Sequence, residues 1–280
     1  MAHSNAQSAF YTIPLDNKLS VRIYEDTRPN CLETAPIQKG LVLMLEGKEL
    51  NEEGVGFGVP IIKYSDKTFF SSQAKVSFKQ TNNCSILTKT YTLDTVSRKK
   101  LGKVTYLDDS FYSLLMHIFQ KLYFRHKKFS TLFNKAMELR QLAHIKTEFV
   151  TVKPRGEVTV TYLCSPSCIT IRADFSKVAL NKCNEVLVLN EQGSNIFRKY
   201  TDTTGLTLLS NKIGAWDTVV AQKATLHNPE VSFTLQTHRY AALIRGWENT
   251  RNRFSWAGLS YSMNPHNKVF EYMIRLGFNG

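Results

Sequence analysis

The sequence predicts a mainly β protein: a large antiparallel β-sandwich carrying one helical segment. Three observations carry that expectation. Short apolar or alternating runs recur along the whole chain, turn-forming residues separate them, and sheet formers are abundant, with 17 Phe and 12 Tyr among 280 residues. Strands spaced this closely fit packed antiparallel layers; alternating βαβ units would need a helix between each pair.

Taken in order, the first half offers strands at 8–15 (SAFYTIPL), 18–25 (KLSVRIYE), 40–50 (GLVLMLEGKEL), 59–64 (VPIIKY), 67–72 (KTFFSS), 74–81 (AKVSFKQT), 83–94 (NCSILTKTYTLD) and 102–108 (GKVTYLD). The second half repeats the style at 147–153 (TEFVTVK), 157–164 (EVTVTYLC), 168–175 (CITIRADF), 184–190 (NEVLVLN) and 196–201 (IFRKYT). It closes with 231–247 (VSFTLQTHRYAALIRGW), 255–263 (SWAGLSYSM) and 268–278 (KVFEYMIRLGF). PRG, SPS, NEQGS and NPHN serve as the links between these strands. The number and length of the strands resemble, at the level of fold alone, the two-sheet supersandwich of mutarotase-like and polysaccharide-lyase-like domains.

Residues 108–145 break the pattern. Phe111, Leu115, Ile118 and Leu122 share one helical face behind Asp109 as N-cap, and the stripe resumes at Phe129, Leu132, Phe133 and Ala136. Two helices are expected near 109–143, broken around HKKFS, as an insertion in one domain spanning 1–280 or as a divider between halves 1–107 and 146–280. Lys121, Arg125, Lys127, Lys128, Lys135 and Arg140 face the single acid Glu138 there. Such a helix can meet an anionic surface, or cover a sheet with its apolar face and show its charge to water.

Residues 54–58 place Gly54, Gly56 and Gly58 alternately with Val55 and Phe57. A phosphate-binding loop needs a helix springing from its glycines, and here Pro60 and an apolar run follow instead. The glycines are expected to bend a strand or admit a neighbouring group closely. Upstream, Glu46, Glu49, Glu52 and Glu53 form an acidic cluster whose spacing matches no EF-hand, and it reads as a charged loop.

A formal charge of +13 favours an anionic partner, with a plainly basic soluble surface as the alternative. No 18-residue apolar run is present, and the start of the chain lacks a basic opening followed by an apolar stretch, so a cytoplasmic protein without a membrane span is expected. Cys31, Cys84, Cys164, Cys168 and Cys183 are odd in number and read as reduced thiols. Cys164 and Cys168 flank a turn but lack a second ligand pair, so a hairpin is preferred to a zinc site. No metal site and no cofactor are expected.

Residues 236–266 hold the richest chemistry. Arg245, Trp247, Arg251, Arg253, Trp256 and Tyr261 are the candidate ligand-binding residues, because guanidinium forks grip carboxylates or sulfates and aromatic faces stack on sugar rings. His238, Tyr240 and Glu248 are the candidate acid/base residues. In a lyase, Arg245 or Arg251 would neutralise a substrate carboxylate while His238, Tyr240 or Tyr261 took the adjacent proton; in an epimerase Glu248 would work with His238. The same residues fit a core, or a surface for single-stranded nucleic acid. The leading expectation is therefore a protein that binds or modifies an acidic sugar or polysaccharide. The second is a non-enzymatic binder of nucleic acid or another anionic polymer, and the third a structural protein pairing through edge strands.

Overall fold

The structure, a computed structural model, describes residues 9–26, 37–51, 53–64, 67–80, 85–100, 103–106, 131, 135, 148–250, 254–264 and 267–278. The first half contributes β1 (Phe10–Pro14), β2 (Leu19–Tyr24), β3 (Leu41–Leu45), β4 (Lys48–Glu49), β5 (Gly56–Tyr64), β6 (Thr68–Gln80), β7 (Ser85–Lys100) and β8 (Lys103–Tyr106). Then come β9 (Glu148–Ser165), β10 (Cys168–Val178), β11 (Cys183–Gln192), β12 (Lys199–Asp202), β13 (Thr207–Leu209), β14 (Ala215–Thr218) and β15 (Lys223–His227). The last four are β16 (Val231–Gln236), β17 (Ala241–Thr250), β18 (Phe254–Met263) and β19 (Val269–Phe278). Two single 3-10 turns, Leu180–Lys182 and Ser210–Lys212, complete the set among the described residues. The fold is mainly β, and every strand pairing described is antiparallel.

Hydrogen bonds join the strands in one network, and the pairings resolve it into two layers. The first runs β1-β2-β3-β5-β11-β18-β17-β14. The second runs β6-β7-β9-β10-β19-β16-β15-β12-β13. They meet at β5 and β6, where Ile61, Ile62 and Lys63 pair with Phe70, Phe69 and Thr68. Side chains cross between the layers: Phe57 of β5 meets Phe233 of β16 edge-on at 5.2 Å, and Tyr261 of β18 meets Phe270 of β19 at 5.1 Å. Period-2 alternation in β2 and β10 places Val21, Ile23, Ile169 and Ile171 in this interlayer core.

The core is rich in tyrosine, and burial of a phenol is tolerated only when its hydroxyl finds a partner. Tyr162 donates to Phe57 O (2.9 Å) and lies 3.3 Å from the Tyr91 hydroxyl. Tyr272 donates to Asn190 Oδ1 (2.6 Å), and Tyr200 to Asp202 Oδ2 (2.8 Å). The glycines of residues 54–58 belong to this arrangement. Gly56 and Gly58 adopt φ of 82° and 79° inside or at the start of β5, and a Cβ on Gly58 would lie 2.8 Å from the Tyr162 hydroxyl. They bend a strand and admit a phenol, and a strand, not a helix, follows.

Several boundaries differ from expectation. The run 231–247 is not one strand: Thr237–Tyr240 turn it back, closed by a His238–Ala241 bridge. PRG is not a link, since β9 continues through it with a register shift opposite Leu93–Val96. The stretches at 67–72 and 74–81 are one strand, β6, bent at a shift between Ser71 and Gln73. β13, β14 and β15 are too short or too polar to announce themselves. The expected helices near 109–143 lie outside the described residues, apart from Thr131 and Lys135, which are helical. Among the described residues no helix is long and apolar enough to cross a membrane.

Candidate functional site

Strand parity decides the fate of the residues singled out from the sequence. In the β17–β18 hairpin Leu243 pairs with Tyr261, Arg245 with Leu259, Trp247 with Ala257, and Glu248 with Trp256. Paired residues share a face, so Trp247 and Tyr261 enter the interlayer core together with Leu259. Trp247 Nε1 donates to Ser194 O (3.1 Å) and the Tyr261 hydroxyl to Gln236 O (2.5 Å). Arg245 lies on the same side over the Tyr200 ring at 5.1 Å, with its Nε on Ile213 O and Nη1 on Thr218 O. Its fork holds backbone carbonyls beside β14.

His238 and Tyr240 occupy the opposite end of β17 from Glu248. The strand from Ala241 to Glu248 is extended and covers roughly 23 Å, so His238 and Glu248 are not brought together. His238 packs edge-on against Phe270 at 4.8 Å, accepts from Tyr240 N at Nδ1 (3.2 Å), and burial followed by the Arg239 charge lowers its pKa. Tyr240 is exposed beneath Arg239. Arg251 and Arg253 lie outside the described residues.

Glu248 and Trp256 face the other way, onto the outer face of the first layer. There they meet two residues that sequence reasoning did not select, Glu191 of β11 and Trp216 of β14. Two glycines make the meeting possible. A Cβ on Gly246 would strike the Trp256 ring at 2.7–2.8 Å, and one on Gly258 would lie 3.0 Å from Glu191 Cγ. The indole and the carboxylate arm thus lie flat across a glycine floor. Trp216 is the extra residue of a bulge between Ala215 and Asp217, held at φ 63°, a left-handed conformation costly for a bulky side chain. The bulge aims it onto Trp256, with ring centroids 4.5 Å apart and planes 15° apart.

The two carboxylates share this face without a described basic partner. Glu248 Oε2 accepts from Trp256 Nε1 (3.2 Å), and Glu191 Oε2 accepts from Val55 N (3.1 Å). Burial pushes Glu248 up to about 7 against that indole bond. Burial also pushes Glu191 up to about 7, opposed by the Val55 amide and reinforced by the charge of Glu248. Each can therefore hold or release a proton near neutrality. Glu191 is buried, whereas Glu248 and Trp216 are half-buried, and Trp216 also packs against the small cluster of Val55, Val59, Ile61 and Leu189 on this face.

The remaining chemistry-bearing motifs have structural partners. Glu46 pairs with Lys18 in an exposed turn, and Glu49 accepts from Tyr24 and Lys39. Glu52 lies outside the described residues. Cys164, Cys168 and Cys183 are free thiols, and burial pushes Cys164 up to about 12. Across the β9–β10 hairpin Cys168 opposes Ser165, not Cys164. No cluster of three or more His, Cys, Asp or Glu side chains suited to a metal occurs among the described residues.

No family model matches the chain, and no curated protein does. Solved structures align with it at low identity. One is the α-N-acetylgalactosaminidase NagBb of Bifidobacterium bifidum in complex with GalNAc, at 6% identity and TM-score 0.49, over 96% of this chain and 36% of the other. Another is a glycoside hydrolase family 97 enzyme from Pseudoalteromonas sp. strain K8 in complex with acarbose, at 10% identity and TM-score 0.38, over 95% and 35%. The Slr1438 protein of Synechocystis sp. PCC 6803 aligns over 99% of this chain and 98% of its own, at 9% identity and TM-score 0.44. The chain spans 36% and 35% of the first two. At TM-scores below 0.5 and identities of 10% or less, these alignments carry no argument about this chain.

Proposed function

We propose that the protein binds or modifies carbohydrate, with an acidic sugar as its ligand. The observation that carries this reading is the placing of Glu248 beside the stacked Trp216–Trp256 pair on a glycine-floored sheet face. A flat indole offers the apolar face that a sugar ring stacks on, and an adjacent carboxylate near its own pKa can accept or return a proton. In lyase- or epimerase-type chemistry Glu248 is the group for that proton. Glu191 is the deeper of the two, and the charge of Glu248 helps to keep it protonated. The net charge of +13 favours an acidic ligand for the chain as a whole, and at the site that preference requires Glu248 and Glu191 in their protonated forms.

A thermal-shift panel of uronates, sulfated sugars and neutral sugars tests the reading. The expected result is stabilisation by an acidic sugar that Trp216→Ala weakens by about tenfold in apparent affinity, equivalent to one stacking contact of about 1.4 kcal/mol. No response to any saccharide would overturn it. Retention on DNA that falls steeply with salt and is indifferent to sugar chemistry would favour the nucleic-acid reading instead.

A further inference from the structure

On the far side of the hairpin from Glu248 lies an open cleft of about 720 Å³, between the loop leaving β11 and the turn leaving β15. Asn195, Ile196, Arg198, Lys199, His227 and Pro229 line it, and none of its lining side chains is acidic. That volume falls within the range of small-molecule sites. Lys199 and His227 are direct partners in the β12–β15 register, so an ammonium and an imidazole stand side by side. Arg198 joins them from the loop. Arg198 and Lys199 are the two cations here, and burial followed by the Lys199 charge lowers the His227 pKa, so the imidazole is neutral near pH 7 and takes up a proton more readily when an anion enters.

The wall of the cleft is pinned to the core, and Arg198 and Lys199 stand exposed on it. Phe197 N donates to Gly193 O (2.9 Å), and the Phe197 ring is buried against Phe233 at 5.1 Å, which pins the loop to the core. Asn249 Nδ2 donates to Asn195 Oδ1 (2.6 Å), fastening the same loop to β17. Arg198 Nε donates to Asn195 O (2.8 Å), which orients the guanidinium and leaves its Nη edge as the part a ligand meets. His227 Nε2 lies 2.7 Å from Thr201 Oγ1, which fixes the ring. The Asn228 side-chain oxygen accepts from Glu230 N and Val231 N (2.6 and 2.8 Å), setting the opposite wall. Ile196 and Pro229 supply apolar surface beside the basic groups.

We propose that this cleft binds a compact organic ligand through a sulfate or phosphate ester held by Arg198, Lys199 and His227. Three donors lining one cleft, drawn from a loop and two strands, offer a tetrahedral oxyanion more contacts than a planar carboxylate needs, which a single guanidinium fork satisfies. Ile196 and Pro229 take the body of the ligand. The proposal stands apart from the carbohydrate reading, because it shares no residue with Glu248, Trp216 or Trp256.

Isothermal titration at low salt with glucose 6-sulfate, glucose 6-phosphate, glucuronate, glucose and inorganic sulfate tests it. Both esters are expected to bind at least about tenfold more tightly than glucose, glucuronate and inorganic sulfate. The double variant R198Q/K199A is expected to lose at least about tenfold of that affinity, while Arg172→Gln, on an exposed strand position away from the cleft, leaves it unchanged. A thermal melt verifies that each variant folds. Esters binding no better than glucose, glucuronate or inorganic sulfate matching them, or a double variant that binds like the parent, would each overturn the assignment. Trp216→Ala separates the two proposals: it is expected to leave ester binding intact whatever it does to acidic sugars.

Discussion

The two faces of the β17–β18 hairpin carry nearly the same residue types and do opposite things. On the inner face Trp247 and Tyr261 are closed over by the second layer, and each polar atom ends on a backbone carbonyl. On the outer face Trp256 and Glu248 lie over two glycines, the indole bonds a carboxylate instead of a carbonyl, and a second indole arrives through a bulge. An aromatic residue whose NH or OH meets a carbonyl is serving packing. One whose NH meets an ionisable group near its pKa is coupled to a proton. The difference between core and candidate site here is therefore which partner the polar atom found, not which residue carries it.

That contrast can be broken from either side. Trp247→Ala should cost the most, about 3–5 kcal/mol measured by denaturant unfolding, because it opens an indole-sized cavity between the layers and strands Ser194 O. A loss much below this would mean the inner face is not the packed one.

Glu191→Gln should have an intermediate effect with a particular pH signature. The folded carboxyl titrates at about 7 against an ordinary value of 4.5, so the native state holds a proton that the unfolded chain releases between those values. Stability is thus fully present below about pH 4.5 and falls as pH rises to about 7, by about 1–3 kcal/mol, and is flat above. Glutamine cannot ionise and still offers Val55 N an acceptor, so the variant should lose the Glu191 share of that decline, keep the share that Glu248 contributes over the same window, and be the more stable protein at pH 8. Parallel curves for the two proteins from pH 4.5 to 8 would sink the buried-carboxylate account. Tyr240→Ala should do the least, within about 0.5 kcal/mol, since that ring is exposed at the turn and its main contact is Arg239.

Much of the fold was legible because alternation survives in the strands that face the core on one side only. β2, β19 and β10 as far as Phe175 read inward-outward, and the hairpins between β5 and β6 and between β9 and β10 fall where turn residues cluster. Legibility failed where tertiary contact supplied what local pattern did not. β14 is four residues long and exists as a partner of β17. PRG looks like a break, yet β9 runs through it because β7 holds it in register. Of the candidate site, Glu248 and Trp256 were named, while Glu191 and Trp216 were not. Glu191 follows the apolar run of β11 with nothing local to distinguish it from Glu185 at the other end, and Trp216 sits in a stretch without alternation. No spacing in the sequence connects residues 191, 216, 248 and 256.

The amino-acid order by itself determined a sheet-built protein with a basic balance and a glycine-bent strand, because pleat periodicity, turn chemistry and the absence of a helix after Gly58 are local properties. Only the tertiary structure decided which aromatic and charged side chains face each other. A one-residue change of parity sends a strand's side chains to the opposite face, and that parity is fixed by partners distant in the chain, as when the Ser260 hydroxyl accepts from Asn190 N, 70 positions away.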